Sequence, residues 1–368
     1  SLGIDKGERA HLAGKLGDLS LAAHERDDAR ALARWSEIKD YPTEELSAAA
    51  LVNLKVAQFN ADNAARGTAF PFIGNPYVVS QRSGSYFSVP DFLANQHRLE
   101  TTEDAEAFLS RLKAFAVQLD QENARLEADA GAGITLPAVI MDKTQTQLKT
   151  LHDTPAAEMA MVQALVRKTG EKSIAGDWGP RATAIVDAEV RPALARQFAL
   201  FTAQRPGATT DVGAWKLPQG EAFYALLLRQ STTTDYAPEQ IHQIGLEQVA
   251  DIQGHIDKIL KGMGMAEGTV GARIKTLNED PQYLWPNTDE GKATLLADLN
   301  LQMQDMAARL PNYFGRIPAS PVEIRRVPVF TEAGAPGGYY QSPALDGSRP
   351  GAYYINLRDT AEWPKWTL

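Results

Sequence analysis

Apolar residues recur at every third or fourth position along most of this chain, and this spacing constrains the fold more than any other feature. Residues 102–130 are predicted to form one long helix, because their apolar side chains share one helical face and Gly131 and Gly133 follow. That face comprises Phe108, Leu109, Leu112, Phe115, Ala116 and Leu119. A similar stripe follows Pro238, a residue that suits the first turn of a helix. It comprises Ile241, Ile244, Val249, Ile252, Ile256 and Ile259.

The same periodicity predicts further helices. One begins at Pro42–Glu45, where a cap residue and two acids favour a helix start, and it ends at Gly67. Another begins near Arg181 and bends at Pro192, which has no amide hydrogen to donate. Shorter helices are predicted over residues 136–150, 156–168, 221–230 and 289–309.

Strand-like alternation is confined to three segments near the C-terminal end, residues 323–330, 338–342 and 352–357. The pairs Asp346-Gly347 and Pro350-Gly351 predict the turn between the last two. We therefore predict a mainly α protein, a large multi-helix scaffold with a small β-sheet or hairpin near the C-terminal end. Roughly half or more of the residues are expected in helices and about a tenth in strands.

A chain of 368 residues suits one large helical domain, and we predict one over residues 1–368. A possible subdivision gives an N-terminal helical lobe, residues 1–135, and a second lobe with the small sheet, residues 136–368. The segment 66–89 is rich in Gly, Ser, Pro and aromatic residues and is predicted to be a long loop. Such a loop either has a functional role or is a packed crossover on the protein surface.

Charge and composition exclude several classes of function. The net charge of −9 argues against a nucleic-acid partner, because phosphates require clustered Lys and Arg. No apolar run approaches the roughly 20 residues of a membrane-spanning helix. The absence of cysteine excludes disulfides, thiolate metal sites and a cysteine nucleophile. It is compatible with the cytoplasm but favours a periplasmic or secreted protein, which avoids stray oxidation.

No complete catalytic motif is present in the sequence. A zinc peptidase of the His-Glu-x-x-His type needs two histidines one helical turn apart, with a glutamate between them. His24-Glu25 matches the first half of this motif, but Asp28 stands where the second histidine belongs. His242 and His255 lie 13 positions apart on one predicted helix and face opposite sides. Neither a Gly-x-Ser-x-Gly elbow nor a phosphate-binding loop occurs, and no carboxylate pair stands out. We therefore expect this chain to bind no catalytic zinc.

The C-terminal residues carry a family resemblance. Asp346-Gly-Ser-Arg-Pro-Gly-Ala-Tyr-Tyr-Ile-Asn-Leu357, followed by Thr360-Ala-Glu-Trp-Pro364, resembles a bacterial family, domain of unknown function 885. The resemblance extends through residues 99–119, 136–143, 213–224 and 232–246. That family looks like a branch of the zinc metallopeptidases, whose members continue into a His-Glu-Ala-x-Pro-Gly-His-His stretch taken to be the metal helix.

The resemblance implies a metallopeptidase-like fold and zinc in the intact protein. Because the His-Glu stretch is absent from these 368 residues, we expect a fragment that ends before its metal motif and is inactive alone. The missing C-terminal segment of the same protein is then a partner of this chain. Trp363 and Trp366 follow a helix-start signal, Asp359 and Glu362, and are expected to be exposed or covered by a neighbouring segment.

The resemblance also points to the tyrosine-rich hairpin as a cleft wall. In a strand over 352–357, Tyr353, Ile355 and Leu357 share one face, and Tyr354 and Asn356 share the other. In zinc peptidases such a strand binds the extended substrate by strand addition, and a tyrosine hydroxyl stabilises the oxyanion. The candidate substrate-binding residues are Tyr339, Tyr340, Arg349, Tyr353, Tyr354 and Asn356. The alternative is that the tyrosines pack the sheet against helices with their hydroxyls at the rim.

The function expected from the sequence is therefore the substrate-channel portion of a zinc-dependent peptidase. The intact protein would hydrolyse peptide or amide bonds with a metal-activated water. Two alternatives remain open. One is a non-enzymatic helical module that binds a peptide or a protein, and the other is a hydrolase of another class whose catalytic residues lie outside this chain.

Overall fold

The structure is a computed structural model that describes residues 7–70, 72, 76–329, 332, 335–345, 347 and 349–366. It is 65% helical and has a small three-stranded sheet near the C-terminal end, which confirms the mainly α prediction. The three strands hold 5, 4 and 5 residues, well under the predicted tenth of the chain. Contacts group the chain into two compact units that meet in sequence at Pro238 and Glu239.

The first unit contains nine helices among its described residues. They are α1 Leu21–Ile38, α2 Ala48–Gly67, α3 Ser85–Asp91, α4 Thr102–Gly131, α5 Ala138–Asp153, α6 Ala160–Glu171, α7 Trp178–Ile185, α8 Arg191–Gln204 and α9 Gly220–Thr232. The second unit contains α10 Pro238–Gly262, α11 Val270–Glu279 and α12 Asp289–Arg309, with the strands β1 Val322–Arg326, β2 Gly338–Gln341 and β3 Gly351–Ile355.

Helix α4 forms the centre of the first unit. A capping box starts it, because the Thr101 hydroxyl accepts from the Asp104 N–H at 3.2 Å and the Asp104 carboxylate accepts from the Thr101 N–H at 3.1 Å. Its predicted apolar stripe is buried, and Phe108 and Phe115 are fully enclosed. The stripe packs in one core with residues of α5 to α8, among them Met141 and Leu194. That core includes residues on both sides of position 135, and the predicted division of the chain there stays a prediction.

Two helix boundaries differ from the prediction for identifiable reasons. Helix α2 begins at Ala48 rather than at Pro42–Glu45, because the Ser47 hydroxyl accepts the Ala50 N–H at 3.2 Å and caps the helix there. The segment 66–89, predicted as a loop, contains the start of α3 at Ser85. Close to Pro192, where a bend is predicted, a π-helical turn, Val186–Val190, joins α7 to α8. The widened turn accommodates the missing proline N–H.

The second unit is built around its sheet, whose strand order is β1-β3-β2. Strand β3 runs parallel to β1 and antiparallel to β2. Leu295 and Leu299 of α12 pack against Ile355 and Leu357, with Ile324 beside them. This contact confirms the predicted apolar face of the last strand. Phe330 and Asp346, which belonged to the predicted strand and turn, lie outside the described residues.

None of the helices that the structure describes is both long enough and apolar enough to cross a lipid bilayer.

Candidate functional site

The backbone of β2 has one side bonded and one side open. Strand β3 pairs Tyr339 with Tyr354, and the Asn356 N–H donates to the Gly337 carbonyl at 2.8 Å. In an antiparallel pair the residues that exchange hydrogen bonds alternate with residues that point the other way. Gly337 and Tyr339 therefore face β3, whereas the N–H and C=O groups of Gly338 and Tyr340 face outward. No strand among the described residues pairs with that outward side.

At the opposite edge of the sheet, a side chain of α12 covers the middle residue of β1. The Asn300 side chain of α12 accepts from the Ile324 N–H at 3.0 Å and donates to the Ile324 carbonyl at 3.0 Å. One amide thus satisfies both outward groups of this β1 residue, as a neighbouring strand would. Sheet edges are commonly covered in this way, so the uncovered edge of β2 is the informative one.

Tyrosines lie on both faces of this open edge. On one face, Tyr339 and Tyr354 stack with ring centroids 5.0 Å apart and planes at 14°. Arg325 is the residue next to Tyr354 on β1 and forms an ion pair with Glu323. The hydrogen bond to Glu323 raises the pKa of the Arg325 guanidinium, and a hydrogen bond with the Tyr354 hydroxyl raises it further.

On the other face, Tyr340 and Tyr353 are direct cross-strand neighbours, with 52% and 36% of their surfaces exposed. Each ring lies over a glycine. A Cβ at Gly351 would meet the Tyr340 hydroxyl at 2.4 Å, and a Cβ at Gly338 would meet the Tyr353 hydroxyl at 2.3 Å. Glycine at both positions lets the rings lie close to the backbone, so aromatic surface borders the open edge on this face as well.

Arg349 lies at the C-terminal end of β2. Its guanidinium donates to the Gln341 side-chain carbonyl at 3.3 Å, and its own carbonyl accepts from the Ala344 N–H at 3.0 Å. The side chain is half-buried, and no described carboxylate lies within ion-pair distance of it. The structure thus brings Arg349 together with the predicted tyrosines around one strand.

Asn356 is the predicted residue that the structure does not bring to the open surface. It is 2% exposed, and its amide donates to the carbonyls of Glu332 and Ala335 at 2.8 and 3.2 Å. Its side-chain oxygen accepts from the Arg358 N–H at 3.0 Å. With all these groups engaged inside the chain, Asn356 anchors the segment that precedes β2.

The two C-terminal tryptophans differ in their surroundings. The Trp363 indole donates to the Asn356 carbonyl at 2.7 Å and packs beside the α12–β3 core. Trp366 is 41% exposed. The predicted helix start at Asp359 is a single 3₁₀ turn, Thr360–Glu362, in which the Asp359 carboxylate accepts the Ala361 N–H at 3.0 Å.

Sequence reasoning missed Asn300, Arg325 and Gln341 as parts of this site. Asn300 gave no signal, because a mid-helix asparagine is ordinary until its edge strand is known. Gln341 follows the tyrosine pair directly in sequence, so its pairing with Ala352 was available from the hairpin register. In the sequence, Arg325 is notable only as part of the pair Arg325-Arg326, which is too small to bind nucleic acid. Its position beside Tyr354 follows from the pairing of β1 with β3, which the sequence does not show.

The first unit holds a buried carboxylate, Glu122, with 2% of its surface exposed. It accepts from the Ser85 N–H at 2.7 Å, the Ser85 hydroxyl at 2.8 Å and the Gln197 amide at 3.3 Å. Burial raises its pKa to about 7 from an ordinary 4.5, although these hydrogen bonds oppose the shift. Carboxyl groups with a shifted pKa often mark active sites, but Glu122 is enclosed and a substrate cannot reach it. Its hydrogen bonds instead link α3, α4 and α8.

Histidines do not assemble a metal site in the part of the chain that the structure describes, where no three His, Cys, Asp or Glu side chains converge. His24 lies on α1, and His242 and His255 lie exposed on α10. His97 is buried: its imidazole bonds the Asp104 carbonyl at 2.9 Å and accepts from Arg111 at 2.9 Å. Burial lowers its pKa to about 4, which keeps it neutral and structural.

A mainly α protein with a small sheet, one edge of which is open and lined by tyrosines, is the class that this fold and site define. The model of the family described as "Bacterial protein of unknown function (DUF885)" matches residues 1–368, and the chain belongs to that family. A search of the curated proteins found no match.

Two solved structures share the fold. A candidate lipoprotein from Colwellia psychrerythraea is 28% identical, with a TM-score of 0.89 over 96% of this chain and 63% of that chain. A candidate lipoprotein of unknown function from Shewanella oneidensis is 13% identical, with a TM-score of 0.55 over the same shares. The chain thus spans less than two thirds of the length of each, and the second likeness concerns the fold alone.

Proposed function

We propose that the open edge of β2 binds an extended peptide by strand addition, and that this chain is the substrate-binding part of a zinc-dependent peptidase. The observation that carries the proposal is the outward pair of backbone groups on Gly338 and Tyr340, bordered by tyrosines on both faces. An added strand forms hydrogen bonds with these groups, and its alternating side chains meet the two tyrosine pairs. Peptide or amide is the substrate class.

The peptidase part of the proposal rests on the sequence resemblance at residues 346–357 and 360–364. The described residues do not fit a zinc site, since no suitable group of side chains converges among them. Zinc ligands would therefore come from outside the described part of the chain. Residues 338–341 and 349–354 would bind and orient the peptide, and no step of hydrolysis is assigned to them.

A non-enzymatic peptide-binding module is the second candidate, because the same edge serves it equally. The two candidates differ in the fate of the bound peptide. Incubation of a peptide with a longer family member and zinc, and analysis of the products by mass spectrometry, separates them. Metal-dependent cleavage supports the peptidase, and binding without cleavage supports the module.

A proline at position 340 tests the binding step. Because the Tyr340 N–H faces outward, Tyr340→Pro removes a donor to the peptide and no donor to β3. The matched control is Tyr340→Val, which also loses the ring but keeps the N–H. We expect Tyr340→Pro to bind an extended peptide roughly tenfold more weakly than Tyr340→Val, a difference of about 1.4 kcal/mol. Equal affinity of the two variants, both folded by circular dichroism, would contradict strand addition at this edge.

The proposal includes a location in the periplasm or outside the cell. Its support is the description of the two structural relatives as candidate lipoproteins, together with the cysteine-free composition.

A further inference from the structure

The arginines around the sheet differ in their partners. Arg325 pairs with Glu323, Arg326 with Glu332 at 2.7 Å, and Arg358 with Glu362. Arg349 is half-buried like Arg326, but its side chain is hydrogen-bonded to an amide oxygen, that of Gln341. Within the described residues it has no carboxylate partner. A desolvated guanidinium without a counter-ion is unfavourable, and an incoming anion offsets that cost.

Arg349 is hydrogen-bonded through both its backbone and its side chain. The Ala344 N–H donates to the Arg349 carbonyl at 3.0 Å, and Ala344 is buried. Gln341, the last residue of β2, holds the guanidinium at the end of the open edge. The Gln341 amide nitrogen is a further hydrogen-bond donor on the same side chain. The planar fork of donors on a guanidinium suits the planar geometry of a carboxylate.

The charge of this face of the sheet is opposite in sign to the net charge of the whole chain. The face that carries Tyr339, Tyr354 and Gln341 presents Arg325 with its partner Glu323, and Arg349 lies at its end. Among the described residues of this face, one positive charge is therefore left without a carboxylate partner, in a chain whose net charge is −9. An anionic ligand is thus attracted to this end of β2 and repelled by most of the remaining surface.

We propose that Arg349, oriented by Gln341, binds a carboxylate of the peptide held at the edge of β2, and this inference rests on the proposed function. A carboxylate reaches Arg349 in two ways. A peptide that runs antiparallel to β2 places its N-terminal part beside Gln341, so an Asp or Glu side chain there meets Arg349. A peptide that runs parallel to β2 brings its free C-terminus to the same place. The shared chemistry is a carboxylate at the Gln341 end of the edge.

Three peptides of equal length and matched sequence test the proposal by fluorescence anisotropy with the 368-residue protein. The first is acetylated, amidated and neutral, the second has a free C-terminus, and the third is amidated with one Glu near its N-terminus. We expect one of the two anionic peptides to bind about tenfold more tightly than the neutral one, as charge-assisted hydrogen bonds do. The tighter peptide identifies the source of the carboxylate and the direction of the added strand.

Arg349→Gln is expected to abolish this tenfold gain, so that the anionic peptide binds no more tightly than the neutral one. Arg349→Lys is expected to keep part of the gain, because it retains the charge and loses the fork. The control Arg358→Gln, which removes an arginine already paired with Glu362, is expected to keep all of it. Equal binding of all three peptides overturns the carboxylate proposal and leaves strand addition standing. Binding of none of them overturns both proposals, and a gain that survives in folded Arg349→Gln overturns the role of Arg349.

Discussion

Helices α4 and α10 carry similar apolar stripes in the sequence and have opposite surroundings in the structure. Fourteen of the thirty residues of α4 are buried, whereas only Leu260 is buried among the 25 residues of α10. Ile244, Val249, Ile252 and Ile259 remain exposed on α10. An amphipathic pattern therefore predicts that a helix forms and says little about how much of its apolar face is covered within the chain. The core of the first unit is centred on α4, whereas most of the apolar stripe of α10 in the second unit is exposed.

The largest expected effect tests this contrast directly. Phe115→Ala on α4 removes a fully enclosed ring and should lower the free energy of unfolding by about 3–5 kcal/mol, through lost burial and the cavity left behind. Val249→Ala on α10 removes an exposed side chain and should change it by less than about 0.5 kcal/mol. Urea unfolding of the two variants measures both values. Similar losses for the two would mean that α10 is covered in solution.

A second expectation concerns pH and the buried Glu122. Its pKa is raised, so the folded state binds the proton more tightly than the unfolded state does, and stability falls as pH rises from about 4.5 to 7. Glu122→Gln removes this titration. Gln197, whose side-chain oxygen has no partner, can turn to accept the new amide. Between pH 4.5 and 8, the free energy of unfolding of the variant should rise relative to that of the wild type by about 3 kcal/mol. This follows from about 1.4 kcal/mol for each unit of pKa shift.

Comparison of the wild type with Glu122→Gln isolates the contribution of Glu122 to stability, because His97 titrates in the same way in both proteins. The pKa of His97 is lowered to about 4, so its contribution has the opposite sign: it stabilises above pH 6.5 and is lost as pH falls toward 4. Urea unfolding at several pH values measures the difference. A difference that is constant across this range would show that the Glu122 carboxyl keeps its ordinary pKa in the fold.

A smaller effect is expected at the β1 edge of the sheet. Asn300→Ala removes both hydrogen bonds to Ile324 and should destabilise the second unit by about 1–3 kcal/mol. Gln302→Ala on the same helix, which loses one exposed contact with Asp298, is the matched control and should be nearly neutral. We also expect the Ile324 amide to exchange faster in Asn300→Ala than in the wild type, as measured by hydrogen exchange. An unchanged stability would mean that water replaces Asn300 without cost and that Ile324 is not specifically covered.

Much of the fold follows from the sequence because helical periodicity is local. The stripe of α4 and the bounds of α12 are as predicted, and the alternation of Tyr353 and Ile355 with Tyr354 places the correct residues on each face of β3. Helix α1 was missed because Ala23 is its only buried residue, so it has little apolar face to reveal. The start of α2 was placed early because two acids outweighed the serine cap at Ser47.

The candidate site was predictable in part. Its tyrosines cluster in sequence, and a two-residue period assigns their faces. The role of Asn356 was not predictable, because its partners Glu332 and Ala335 come from a segment that only the folded chain brings beside it. The covering of one β1 residue by Asn300 and the surroundings of Arg349 likewise depend on tertiary contacts. Local pattern thus identified the strand, and long-range packing decides which of its edges is open.

Hydrogen exchange of the four β2 amides tests the central claim most directly. In the free protein the Tyr339 and Gln341 amides, which face β3, should exchange slowly, and the outward Gly338 and Tyr340 amides should exchange quickly. Addition of an extended peptide should slow the exchange of Gly338 and Tyr340 and leave the other two unchanged. If a peptide binds while Gly338 and Tyr340 still exchange at their free rates, the peptide lies elsewhere and the open edge of β2 is not its site.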